Sequence, residues 1–417
     1  MKKLIIPIGL LLIAHSAHAQ LTQGENYIQS KTYLDYNGTT PTKTLETVQY
    51  LDGLGRPKQV VNVKASPKGR DVVTHIEYDQ FGRQVLDFLP VPQAGTLNGG
   101  IVPSSLANAT QPDIYGSEKI YSEKVLENSP LDRILEQKQV GTAWTNKPVK
   151  FEYGANIGND VYKFVTTTIW ENNATKSGLS FSSAYAANQL YRNAVTDEDG
   201  NKTYEYKNGE GQTILVRKMI SDTEYADTYY VYNEYNQLAF VIPPKAVNQT
   251  ITETLLNDLC YQYRYDGRNR LVEKKLPGKG WESMVYDKQD RLVATQDAEL
   301  RKKGQWLYTK YDQFSRVIMT GISQAMGSSQ VVGISRLEEQ NYADTKGSNN
   351  EIRLPSVSVN YSGMDVYYSV SSGYPQYDKV YNFLSLTYYD TYPAGSPAVP
   401  SQILELMFYR KMLKILR

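Results

Sequence analysis

One cysteine, Cys260, and three histidines leave this chain of 417 residues almost without thiols or imidazoles. His15 and His18 lie in the N-terminal segment, so His75 is the one histidine left for the body of the protein. One His and one Cys cannot build a Cys/His zinc site, a disulfide or a redox CxxC pair. Charge of one sign is also missing: 45 Lys and Arg face 44 Asp and Glu, a net +1. Loss of Lys2 and Lys3 with a leader would make it −1, and the counterion-release drive for nucleic-acid binding has no source. Phenylalanine (9) and tryptophan (4) are few beside 35 tyrosines. Tyr suits sheet faces, where the ring packs and the hydroxyl stays wet or hydrogen-bonded.

Long hydrophobic runs are absent except at the start. Lys2-Lys3, the apolar run Leu4 to Ala14 and Ala17-His18-Ala19 have the pattern of a signal peptide over residues 1–19, cleaved after Ala19. The run is too short to stay as a membrane anchor. The expected location is therefore secreted or at the cell surface, away from ready ATP and NAD.

A short pattern recurs along the chain: Tyr50-Leu-Asp-Gly-Leu-Gly-Arg56, Tyr78-Asp79-Gln-Phe-Gly82-Arg83, Tyr265-Asp266-Gly-Arg-Asn-Arg270, Tyr286-Asp287-Lys-Gln-Asp-Arg291 and Tyr311-Asp312-Gln-Phe-Ser-Arg316. Weaker copies start at Tyr206 and Tyr232. Periods of roughly 20 to 50 residues signal repeat architecture. The approach Tyr261-Gln-Tyr263-Arg-Tyr265 has period two, which is a strand. The Asp, Asn and Gly that follow fit positive-φ or Asx turns, and the exit Arg270-Leu-Val is again strand-like. Each repeat reads as a β-hairpin, and a lone hairpin is marginal in water, so hairpins must join edge to edge. The expected fold is all-β: hairpin repeats in a continuous curved or spiralling antiparallel sheet. One short helix is expected near 250–260, where Thr250-Ile-Thr-Glu253 has the form of a capping box and Ile251, Leu255, Leu256 and Leu259 share a helical face.

The chain divides by composition into a signal peptide (1–19), an N-terminal β domain (20–100), an intermediate β region (101–195), the main repeat segment (196–320), a Gly/Ser/Tyr-rich β region (321–400) and an atypical tail (401–417). Tyr389-Asp390 opens one more repeat without finishing it. The basic, apolar tail is either an amphipathic last helix or the product of a lost reading frame on a truncated chain.

These Tyr-Asp…Gly-Arg repeats resemble the YD repeats of RHS (rearrangement hotspot) proteins. The stretches Gln49–Lys58 and Tyr78–Gln84 resemble the uncharacterised domain that opens secreted RHS proteins of Gram-negative bacteria. The resemblance covers most of residues 25 to 320. It implies hairpins wound into a shell around a toxin cargo, with further RHS repeats or that cargo as partners. The Asp-Pro-x-Gly-Leu-like stretch that closes large members is missing here.

Candidate chemistry is thin. His75 and Glu77 share a strand face and could orient a general base, but a surface pair is the plainer reading, and no Gly-x-Ser-x-Gly elbow supplies a nucleophile. Cys260 needs a neighbouring cation and exposure to be reactive; it reads more simply as a small apolar residue at a helix end. Gly53-Leu-Gly55 and Gly209-Glu-Gly211 lack the rest of a phosphate loop. The recurring Asp52, Asp79, Asp266, Asp287 and Asp312 each stand beside a cation, which favours turn chemistry over calcium. The recurring Arg56, Arg83, Arg270, Arg291 and Arg316 are expected to stack on a neighbouring Tyr or pair with the Asp, as a ladder that fixes register. Neither metal nor cofactor is expected. The predicted function is a non-enzymatic exported scaffold or shell segment of an RHS-type toxin-delivery or cell-contact system. The rival is a carbohydrate-binding adhesin using tyrosines with Trp144, Trp170, Trp281 and Trp306.

Overall fold

The computed structural model describes residues 21–22, 24–35, 43–102, 115, 118–325, 336–347, 349–361, 363–369, 373–376, 379–390, 392, 396, 402–403 and 406–407. The expected signal peptide and residues 408–417 of the tail lie outside them. The chain forms two compact modules, one of residues 1–157 with 187–226, the other of 158–186 with 227–417.

The first module holds an antiparallel sheet ordered Asn26–Tyr33, Thr44–Leu51, Pro57–Asn62, Val72–His75 and Val91–Pro92. Period-two alternation places Val48, Tyr50, Val61 and Val73 on one face, where they meet Val91, Phe88 and Ile120 in a buried cluster. The Tyr50 hydroxyl donates to the carbonyl of Gly99 at 2.7 Å, so the buried phenol is satisfied. Gly99 (φ +89°) is required there, because a Cβ would sit 2.8 Å from Val48. A second antiparallel run in this module joins Leu86–Phe88, Tyr121–Leu126, Ile134–Lys138, Val149–Ala155, Tyr191–Thr196, Lys202–Lys207 and Thr213–Met219.

In the second module the strands Tyr225–Tyr232 (from residue 227 onward), Leu238–Ile242, Tyr261–Tyr265, Leu271–Leu276, Gly280–Tyr286, Leu292–Gln296, Gln305–Asp312, Val317–Gln324 and Val380–Leu386 pair in sequence, each antiparallel to the next. The hairpins do share backbone ladders: Phe240 pairs with Gln262, Glu273 with Ser283 and Ala294 with Tyr308. A separate long hairpin, Tyr162–Glu171 with Ala174–Ala184, belongs to the same module. It lies in the stretch expected as an intermediate β region.

The fold is all-β, as expected, and the anticipated helix is present as α1 (Glu253–Leu259). Its N-cap is Thr252, whose hydroxyl accepts from the Leu255 N–H, rather than Thr250. Three residues past Thr252 stands Leu255, so no capping box closes, and Ile251 stays outside the helix. Two further short helices accompany it: α2 (Ala298–Lys302), capped by Asp297, and α3 (Arg336–Thr345). In the tail, Gln402–Ile403 and Leu406–Met407 pair as strands where a final helix was one of the readings.

Candidate functional site: the aspartate–arginine–tyrosine ladder

Each repeat turn is built from one acid and the residue four positions later. The N–H of Asp52, Asp79, Asp266, Asp287 and Asp312 donates to the carbonyl of Arg56, Arg83, Arg270, Arg291 and Arg316 respectively, while the residue before each Arg donates back to the Asp carbonyl. The intervening residue has positive φ: Gly55 (+78°), Gly82 (+80°), Asn269 (+63°), Asp290 (+61°) and Ser315 (+60°). That is a type I turn closed by a G1 bulge, the usual three-residue hairpin loop. The Asp carboxylate then binds its own turn. One oxygen accepts the N–H two residues on and the Arg N–H, and the other accepts Arg Nε at 2.6–2.8 Å. The sequence therefore folds locally this way because a short carboxylate satisfies two turn amides and a guanidinium at once.

The same Arg reaches the next repeat. Arg56 lies over the Tyr78 ring at 4.1 Å, Arg270 over Tyr286 and Arg291 over Tyr311 at 4.7 Å, and Arg316 over Tyr389 at 4.3 Å. Each of those tyrosines donates its hydroxyl to the carbonyl of the residue after the Arg: Tyr78 to Pro57, Tyr286 to Leu271, Tyr311 to Leu292 and Tyr389 to Val317, at 2.7–3.0 Å. Tyr265 does the same to Leu238 of the preceding hairpin. The free end of the guanidinium meets the neighbour's positive-φ position: Arg270 binds Asp290 and Arg83 binds Asp132, both at 2.7 Å. Stacking and pairing, posed as alternatives by the sequence, occur together at Arg56, Arg270, Arg291 and Arg316, whereas Arg83 pairs with Asp79 and lies over Phe81 of its own turn. At the Arg270 and Arg291 junctions the cation–π contact and the phenol hydrogen bond together contribute about 1–3 kcal/mol.

The sequence pattern is one residue out at two places. Tyr50 and Tyr206 precede the slot held elsewhere by Tyr78 or Tyr265; Leu51 and Lys207 fill it, as the bulged pairs Leu51–Pro57 and Lys207–Thr213 show. With period two, that single step turns Tyr50 and Tyr206 to the other face, where both are buried. The turns Asn208–Gln212 and Asn233–Gln237 keep the geometry with an uncharged pair, Asn Nδ2 donating to Gln Oε1 at 2.7 and 2.9 Å. The sequence pattern also missed a rung. Glu127 and Arg133 close a longer loop, Arg133 lies 4.5 Å over Tyr153, and Tyr153 donates to Ile134. The exit Arg133-Ile-Leu, matching Arg270-Leu-Val, was the available signal.

Electrostatics follow the hydrogen bonds. Backbone and side-chain donors of Arg56 and Arg83 hold Asp52 and Asp79 below the usual carboxylate value. The Arg133 guanidinium brings Glu127 down to about 2. Burial pushes the Tyr265 phenol up to about 12. Among the described residues no cluster of three or more His, Cys, Asp or Glu could hold a metal ion.

The remaining sequence candidates are placed as follows. His75 Nε2 lies 2.9 Å from Glu77 Oε1, with its ring edge-on to Phe88. Cys260 is buried directly after α1, and burial pushes its thiol up to about 11. Gly55 and Gly211 serve hairpin turns. Trp306 is fully buried, Trp281 is covered by Arg264 at 4.2 Å, and Trp144 and Trp170 are exposed. A buried ion pair had no sequence signal: Lys310 Nζ binds Glu351 Oε1 at 2.6 Å, with the Ser369 hydroxyl on the other oxygen.

Residues 23–155, including the Tyr50 and Tyr78 motifs, match a domain family described only as a domain of unknown function, DUF6443. No curated protein matches the chain. Among solved structures, the crystal structure of TcdB2-TccC3-Cdc42 is similar at TM-score 0.44 and 14% identity, over 73% of this chain and 14% of that one. The crystal structure of TcdB2-TccC3-TEV is similar at 0.43 and 14% identity, over 82% and 16%. The chain spans only about one seventh of the length of these structures.

Proposed function

We propose that this protein is a non-enzymatic scaffold, an exported wall segment of an RHS-type toxin-delivery or cell-contact system. One observation carries the reading. The recurring Asp, Arg and Tyr side chains bind their own turns and the adjacent hairpin, so the repeated chemistry is spent on joining hairpins. A series of hairpins so joined makes a stiff wall, which is what a shell around a cargo needs. The buried, protonated Cys260 and the His75–Glu77 pair without a nucleophile give an enzyme little to work with. Under this reading the partners are a toxin cargo or further RHS repeats, and the site of action is outside the cell or on its surface.

The test is co-expression of the full chain with the open frames flanking its gene, followed by limited proteolysis of the purified assembly. Protection of a small variable domain, lost when Arg270 and Arg291 are both changed to Ala, is the expected result. A freely digested companion domain would overturn the scaffold reading. Turnover on an ester or peptide panel that disappears in His75→Ala would replace it with a hydrolase.

A further inference from the structure

We propose that the second module carries a carbohydrate subsite at Trp170, sized for a neutral sugar ring. Trp170 stands near the tip of the Tyr162–Glu171/Ala174–Ala184 hairpin, where Asn172 and Asn173 (φ +53° and +54°) make the turn. Its indole N–H donates to the Tyr235 hydroxyl at 3.3 Å, and the two rings lie 6.1 Å apart, tilted by 55°. The contact props the indole upright with half of its surface exposed.

Beside that ring is a cavity of about 300 Å³, walled by Asn173, Asp266, Arg268, Asn341 and Asp344, at the lower end of the size range for ligand sites. One wall is α3, which is tied to the sheet: the Gln340 side chain accepts from the Tyr286 N–H and donates to the Tyr286 carbonyl, as a paired strand would. Several polar groups around the cavity remain open. The Asn173 and Asn341 amides make no hydrogen bond among the described residues, and Asp344 uses one oxygen, for Gln340 at 3.0 Å.

An aromatic face beside unused amides and a carboxylate oxygen matches the two sides of a pyranose. The C–H face lies on the indole, and vicinal hydroxyls accept from the amides and donate to the carboxylate. Charge selects against acidic sugars. Asp266 is neutralised by Arg270, Arg268 by Asp290, and Arg336, which also lines the cavity, by Glu273 at 3.5 Å, which leaves Asp344 as the charge of the cavity wall without an ion-pair partner among the described residues.

The experiment uses the full chain with lactose, maltose, cellobiose and chitobiose as neutral probes and sialyllactose as the acidic comparator, read by tryptophan fluorescence and saturation-transfer NMR. At least one neutral saccharide is expected to bind saturably. Trp170→Ala, Asn341→Ala and Asp344→Asn should each weaken it by about tenfold or more, while Trp144→Ala should leave it unchanged. Circular dichroism melts separate lost binding from lost folding, and Asn341→Ala carries the test if Trp170→Ala fails to fold. Absence of binding by every neutral probe, binding of sialyllactose alone, or binding indifferent to Trp170→Ala and Asn341→Ala overturns the proposal.

Discussion

Replacing Arg291 by Ala removes the most enclosed rung of the ladder. Its side chain is 9% exposed and that of Asp287 is 2% exposed, so both charges are desolvated. The Arg also lies over Tyr311 at 4.7 Å and donates to Asn350 Oδ1 at 2.8 Å. Removing one member of a buried pair costs about 3–5 kcal/mol, because the other charge stays buried. Asp287 would keep the N–H donors of Gln289 and residue 291, which places the expected loss near the lower bound, about 3 kcal/mol. With a urea m-value of about 3 kcal/mol/M, the midpoint should fall by about 1 M. The molecule supplies its own rescue. Asn233–Gln237 forms the same turn without charge, so Asp287→Asn with Arg291→Gln should recover more than half of the loss. Lys302→Ala, which removes an exposed partner of Glu299, is the reference and should cost no more than about 0.5 kcal/mol. If Arg291→Ala moves the urea midpoint no further than Lys302→Ala does, the rung is idle and the reasoning fails.

Gly82 combines φ +80° with a Cβ site 2.9 Å from Arg56 Nη1, so Gly82→Ala should destabilise by about 1 kcal/mol or more, whereas Ser315→Gly, at the equivalent position, should be neutral or stabilising in thermal melts. Carboxyls held below 3.8 for Asp79 and 4.5 for Glu127 bind protons more readily in the unfolded chain. Their stabilisation is complete above those ordinary values and is lost as pH falls through the folded ones, toward about 2 for Glu127; the melting temperature should drop across that window, and Glu127→Gln should flatten the drop. Cys260, its thiol raised to about 11, should resist iodoacetamide at neutral pH in the folded protein and react only once urea unfolds it.

The turns were legible because their chemistry is local: an acid, a positive-φ residue and an Arg within five positions dictate one hairpin loop. Which face each Tyr takes was legible only where it adjoins the acid. At Tyr50 and Tyr206 the ring is two positions from Asp52 and Asn208, and strand alternation sends it into the core. The stacking of Arg on the next Tyr depends on hairpins meeting in space, so composition could suggest it but not choose between stacking and pairing. The helix α3 left no trace in the pattern, since three of its four buried residues, Arg336, Glu339 and Gln340, are polar and only Ala343 is apolar, which is no apolar stripe. The Trp170 cavity was equally hidden, because its walls come from a hairpin tip, a repeat turn and that helix.

Native-state hydrogen exchange over residues 261–324 addresses the lateral joining of hairpins most directly. Strands linked through the Glu273–Ser283 and Ala294–Tyr308 pairs and the Arg270 and Arg291 rungs should open as one cooperative block with a single protection free energy. Separate free energies for the 261–276, 280–296 and 305–324 hairpins would mean that each stands alone, and the wall would not exist.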